Sequence, residues 1–155
     1  MKISYLAALT LTFTSISSVR ADEAAVTAKL AKIPPAAAEA LKKAAGTATI
    51  KQVDIEKDGK VTIYEIELVE AGKPDREVSV TADGKLNASE ETVPLDKVPE
   101  AARKAIEAGA KGAKIDRVQH ITRSGAETFE ALYNNKGKKT EVEYLPDGKL
   151  KPEEK

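Results

Sequence analysis

The segment LAKIPPAAAEALKKAAGTATIKQVDI at 30–55 returns 65 positions later as LDKVPEAARKAIEAGAKGAKIDRVQH at 95–120. Leu30 falls on Leu95, Lys32 on Lys97, Ile33-Pro34 on Val98-Pro99 and Leu41 on Ile106. Ile50 and Val53 fall on Ile115 and Val118, and Tyr64-Glu65 on Phe129-Glu130. One residue is then lost, and REVSVTADGKL at 76–86 meets TEVEYLPDGKL at 140–150 with an offset of 64. Motifs recurring in the same order at a fixed spacing predict one supersecondary unit used twice.

Each unit opens with a proline read as the first helical residue, Pro34 or Pro99, where a fixed φ suits a helix start. Ile33, Ala37 and Leu41 in one unit, and Val98, Ala102 and Ile106 in the other, have the i, i+4, i+8 spacing of a single buried stripe. Glu39 with Lys43 and Glu100 with Lys104 form outward i, i+4 pairs. Gly46 and Gly109 are read as left-handed helix caps. The period then falls from 3.6 to 2. Tyr64, Ile66 and Leu68 alternate with Glu65 and Glu67, and Phe129, Ala131 and Tyr133 repeat the buried set. Val78 and Val80, with Val142 and Tyr144, mark another half-buried strand. Asp58-Gly59, Asp83-Gly84 and Asp147-Gly148 are turn dipeptides. The expected fold is α+β, two tandem repeats, each a short helix on one face of an antiparallel sheet.

The boundaries follow from the same comparison. Residues 1–21 read as a signal peptide. Lys2 gives a positive start, 3–16 is uncharged and mostly apolar, and Val19-Arg20-Ala21 offers a cleavage site before Asp22. Repeat 1 is 22–88, with Asp22 to Lys32 as a loose leading turn. The polar stretch SEETVPLDK at 89–97 is expected as a connector, repeat 2 is 98–151, and 152–155 is a frayed tail. Cleavage leaves 23 basic residues against 25 acidic ones. Such a balance lacks the concentrated positive charge that nucleic acid requires. With no cysteine there is neither a disulfide nor a lipid-anchor site, and no later stretch has the length of a membrane span. A periplasmic or secreted location is expected.

Few groups carry chemistry. DIEKDGKVTIYE at 54–65 places Asp54, Glu56, Asp58, Gly59 and Glu65 where an EF-hand loop has its ligands, turn glycine and closing carboxylate. Its counterpart, QHITRSGAETFE at 119–130, has lost the early acids, and β-type sequence flanks the first copy where helices are needed. A hairpin is therefore expected there, with calcium binding as the alternative. His120 is the only histidine, which denies a histidine-based zinc cluster or a second imidazole. Ser124, before Gly125, reads as a turn residue. No catalytic, cofactor-binding or metal-ligating residue is assigned.

The motifs Ile33-Pro34, Tyr64-Glu65-Ile66-Glu67 and Glu77-Val78-Ser79-Val80-Thr81-Ala82-Asp83-Gly84-Lys85 resemble the PepSY domain. Val98-Pro99, Phe129-Glu130-Ala131 and the run from Glu141 to Lys149 repeat the pattern. The likeness is to the exported, tandem, β-lactamase-inhibitor-like form. It implies an exported protein without catalysis of its own, associated with peptidase-inhibiting propeptides and with extracytoplasmic binding or regulation. No functional residue is carried over from it. The expected function is docking of another exported protein or peptide through the uncovered sheet face, where Val61, Ile63, Glu65 and Glu67 lie.

Overall fold

Two prolines set the entries of the two main helices. In the computed structural model, which describes residues 23–58 and 61–152, Pro34 and Pro99 precede the first helical turn. Their ψ values of 139° and 140° are extended, so each is the cap residue, one place earlier than expected. The carbonyl of Pro34 accepts from the Ala38 N–H at 2.9 Å, and that of Pro99 from the Arg103 N–H at 2.8 Å. Helix α2 is Pro35–Ala45 and α3 is Glu100–Ala110. Before them lies α1, Glu23–Leu30, two turns of helix that bury Val26 and Leu30. The proposed signal segment lies outside the described residues.

The strands are β1 (Thr49–Asp58), β2 (Val61–Val69), β3 (Arg76–Thr81), β4 (Leu86–Thr92), β5 (Lys114–Arg123), β6 (Ala126–Asn135) and β7 (Lys138–Tyr144). They form one antiparallel sheet in sequence order, a seven-stranded meander. The segment read as a connector is therefore part of the sheet. Ser89–Thr92 completes β4, which pairs with β3 on one side and β5 on the other. Only Val93 to Lys97, ending in a 3-10 turn at Leu95–Lys97, links strand to helix. Its polarity hides the strand in the sequence. Glu90 points to the helix-free face of the sheet, so this strand lacks the apolar alternation that marks the others.

The three α-helices among the described residues lie on one face. The expected stripes are buried: Ile33, Ala37 and Leu41 meet Val53, Ile66, Leu68, Val78 and Val80, while Val98, Ala102 and Ile106 meet Val118, Phe129, Ala131 and Tyr133. Leu41 and Ile106 are wholly enclosed, each worth about 1.5–3 kcal/mol in transfer free energy.

The corresponding geometry recurs along the chain. β1 and β5 carry irregularities at Ile50/Gln52 and Ile115/Arg117. After β3 and β7 the chain turns through Gly84 and Gly148, both at positive φ, and a Cβ on either would stand 2.7 Å from a helix carbonyl oxygen, of Ala36 or Ala101. Glycine is required there twice over, by dihedral and by space. The tail begins a further pairing, Tyr144 with Leu150, as Val80 pairs with Leu86.

Gly109 is not a cap. It lies inside α3, whose left-handed terminus is Lys111, φ 47°. A side chain at 109 would overlap the hydroxyls of Tyr144 and Tyr133. Tyr133 donates to the carbonyl of Ile106 at 2.8 Å, and its oxygen lies 2.9 Å from that of Tyr144. Gly46 does end α2 at positive φ. Of the two outward pairs, Glu100 with Lys104 closes at 2.6 Å.

Candidate functional site: the helix-free sheet face

Alternation decides what the other face of the sheet presents. With Ile66, Val78, Val118 and Ala131 committed to the helices, the residues between them point away. Among these are Ile63, Glu65 and Glu67 on β2, Glu77 and Ser79 on β3, and Ala88 and Glu90 on β4, with Ile121 on β5 and Leu132 on β6 also on this face. From β5 come Arg117, Gln119 and Arg123, from β6 Thr128 and Glu130, and from β7 Glu141 and Glu143. The twist of the sheet gathers most of them around a trough of about 320 Å³. Six glutamates and three basic residues line it, with Ser79, Asn87, Gln119 and Ile63 between them.

Register fixes the neighbours. Glu77 stands opposite Glu67 on β2 and opposite Glu90 on β4, which puts three carboxyls in a row across the sheet. Glu130 faces Gln119 on one side and Glu143 on the other. Some of these groups are matched. Lys51 reaches Glu67 at 2.6 Å, Lys151 reaches Glu143 at 2.8 Å, and the Thr128 hydroxyl donates to Glu143. Asn87 donates to Ser79 at 3.1 Å.

The central carboxyls sit far from their ordinary titration range. Burial, then the Glu77 carboxylate, raises Glu65 to about 8. Burial and Glu90 raise Glu77 to about 7 despite Arg117. Glu130 is raised to about 7 by burial and Glu141, and burial raises Glu90 against the pull of Arg123 and Arg117. Desolvation penalises the charged form of each, and like charges add to it.

The residues singled out from sequence are distributed unevenly. Ile63 and Glu65 line the trough, and Glu67 stands beside them in its pair with Lys51. Val61 lies at the hairpin end and is 49% exposed. The calcium arrangement is not built. Residues 54–58 and 61–65 are the two arms of the β1–β2 hairpin, pairing Asp54 with Glu65 and Asp58 with Val61. Four strand steps carry the backbone from Asp54 to Asp58, about 13 Å at strand rise, whereas one calcium ion needs its oxygens within about 2.6 Å. Gly59 lies outside the described residues. No group of three acidic or imidazole side chains among the described residues could hold a metal.

His120 faces the helix side, not the trough, and stacks on Phe129 with ring centroids 5.0 Å apart. Ser124 has positive φ in the β5–β6 turn, as its place before Gly125 implied. Sequence reasoning missed Glu77, Glu90, Arg117, Gln119 and Glu130 as one set. The available signal was the recurrence of charged residues between buried ones on every strand, including the strand taken for a linker.

No family model and no curated protein matches the chain. Solved structures do. A Bacteroides eggerthii protein described as periplasmic superposes with a TM-score of 0.61 and 21% identity, covering 76% of this chain and 85% of its own. A DUF2874 family protein of Bacteroides uniformis gives 0.59 and 20%, over 76% and 85% of the two chains. A BLIP-like protein of Bacteroides fragilis gives 0.54 and 22%, over 79% and 85%. At these identities the likeness is one of fold.

Proposed function

We propose that this chain is an exported, non-catalytic binding module that docks another protein on the helix-free face of its sheet. The observation that carries the reading is the one-sidedness of the fold. Every helix among the described residues covers the same face, and the opposite face is a trough in which polar side chains are buried without complete pairing among the described residues. A mixed polar and apolar concave surface of this kind suits a protein interface.

The periplasmic description of one structural neighbour and the BLIP-like description of another support export and protein binding. No helix among the described residues is long and apolar enough to cross a membrane. Residues 1–21 serve as the export signal. The two halves, 22–88 and 98–151, descend from one duplicated PepSY-like unit, a reading supported by the matching cap, bulge and glycine contacts. Within that resemblance a peptidase is the favoured class of partner.

The test uses a photoreactive side chain in place of Glu141, exposed beside the trough, or of Glu107, exposed on α3. The expected result is a defined adduct with one exported protein from position 141 and none from 107. Equal labelling from both positions, or labelling from 107 alone, removes the sheet face as the docking surface.

A further inference from the structure

Two properties of the trough set it apart from an ordinary solvated acidic face. The first is like charge in direct register. Glu77 is flanked across the strands by Glu67 and Glu90, and directly opposed like charges destabilise an antiparallel pair. Lys51 pairs with Glu67, while the pull of Arg117 on Glu77 and of Arg123 and Arg117 on Glu90 is outweighed by burial and the neighbouring carboxyls. The second is buried polarity without an internal partner. The Gln119 side chain, 4% exposed, lines the trough yet hydrogen-bonds to no other described residue. Glu77, 9% exposed, also makes no hydrogen bond or ion pair with a described residue. Buried polar groups are ordinarily satisfied; in the trough the Arg123 Nε is buried without a partner, and the Gln119 amide and Glu77 carboxyl open onto the same concavity, so the three together point to a group supplied from outside.

We propose that the trough seats a lysine or arginine side chain carried on an extended segment of the partner, held between Glu77 and Glu90 with the Gln119 amide oxygen as a further acceptor. This deepens the sheet-face reading above and rests on it. Charge complementarity selects the occupant: the lining has six carboxyls against Lys57, Arg117 and Arg123. A partner cation relieves the Glu77–Glu90 repulsion and fills the open acceptor of Gln119 with an N–H donor. The basic residues then contact the segment's backbone. Arg123 holds its Nε–H buried without an acceptor, and a carbonyl of an extended chain crossing the trough supplies one. A bare divalent ion fits less well, since the described acids form no group able to chelate it.

The experiment titrates two peptides, identical except that one bears lysine where the other bears glutamate, into the full chain and follows backbone amides by NMR. The lysine peptide is expected to shift Glu77, Glu90, Gln119 and Ser79, with affinity that falls steeply as salt rises. The Glu77→Gln/Glu90→Gln variant is expected to bind it about tenfold or more weakly, as loss of close charge pairs does at interfaces. These replacements keep shape and remove repulsion, so the variant's melting temperature stays level or rises, which separates lost binding from lost fold. Equal binding of the two peptides, shifts confined to the helix layer, or binding of neither overturns the proposal. If neither peptide binds while position 141 still cross-links its partner, the charge assignment fails and the sheet-face reading stands. If the cross-link is also absent, both fail. Self-association that the double variant abolishes would assign the trough to a second copy of this chain and overturn the basic-partner proposal.

Discussion

Where α3 crosses β6 and β7, Gly109 faces the hydroxyls of Tyr133 and Tyr144. The corresponding positions of the first half hold Ala44, Leu68 and Val80, packed under α2. One half thus fills the space between helix and sheet with a methyl on the helix and two aliphatic side chains on the sheet. The other removes the methyl and brings in two phenols, with Tyr133 bonded to the helix backbone at Ile106. Burial and the neighbouring Tyr144 hydroxyl hold the Tyr133 phenol above its usual range, so it stays protonated and able to donate. Cores tolerate substitution when total volume is conserved. Here the compensation is partial: the glycine gives up a methyl where two larger phenols enter.

The comparison predicts its largest effect at Gly109. Gly109→Ala should destabilise the chain by about 1–3 kcal/mol, the usual cost of forcing a group into a filled core, read from the midpoint of urea unfolding. Tyr144→Phe removes the oxygen nearest the new methyl and should itself cost about 1 kcal/mol through its lost hydrogen bond. Combined, the two should cost less than their sum, a coupling that a double-mutant cycle resolves. Strict additivity would mean that the second half does not pack as its tyrosines indicate. Adding bulk at Ala44 offers the control, because no phenol waits there.

The halves differ as much on the helix-free face, and here the sequence was only partly legible. The core-facing stripes could be read directly, because a helix of period 3.6 and a strand of period 2 each announce their buried side within a few residues. Ile33, Ala37, Leu41, Ile66, Val98, Ala102 and Ile106 are buried as the spacing predicted. β4 escaped because Ser89, Glu90, Glu91 and Thr92 include no large apolar residue. This strand sits between two others and is held by ladder hydrogen bonds on both sides, so backbone pairing makes it a strand. The trough escaped for a related reason. Its carboxyls come from strands far apart in sequence and meet only through register, which no local window contains. Glu65 and Glu67 were visible as a pair on one strand, whereas Glu77 and Glu90 become neighbours only once β4 is in the sheet. Gly109 was misread because a glycine near a helix end more often relieves a cap than a packed tyrosine.

The next effect comes from that register. Glu65, Glu77 and Glu130 have folded-state values near 8, 7 and 7, all above the roughly 4.3 of an exposed glutamate in an unfolded chain. A group raised on folding binds more protons in the native state. Its contribution is fully present below the unfolded value and is lost as pH rises through the folded one. The protein alone should therefore melt highest at mildly acidic pH and lose stability between about pH 4.5 and pH 8. Asp54 and Glu56 on β1, Glu77 on β3 and Glu90 on β4 act with burial on Glu65. Glu65→Gln should flatten the upper part of that profile, measured as melting temperature against pH. Strands β2 to β4 supply three of the four raised carboxyls, Glu65, Glu77 and Glu90, so substitutions there should flatten the profile more than Glu130→Gln. A profile that rises toward pH 8 would show that these side chains ionise without penalty and that the trough is wetter than its geometry implies.

The smallest expected effect separates the hairpin from the trough. Asp54 and Asp58 of the first half correspond to Gln119 and Arg123 of the second, so the acidic spacing that suggested a calcium loop is unique to one half. In the folded chain those residues run along a single strand, opposite Glu65 and Val61, and not around a loop. Calcium at about millimolar concentration should leave the melting temperature unchanged relative to chelator, since only a ligand bound preferentially by the native state raises it. Should a rise appear, two variants locate its origin. Its loss in Asp58→Asn would mean that the β1–β2 hairpin opens to wrap an ion. Its loss in Glu77→Gln, with Asp58→Asn unaffected, would place the ion among the registered carboxyls and make the cation-accepting character of the face less selective for lysine and arginine than charge and shape imply.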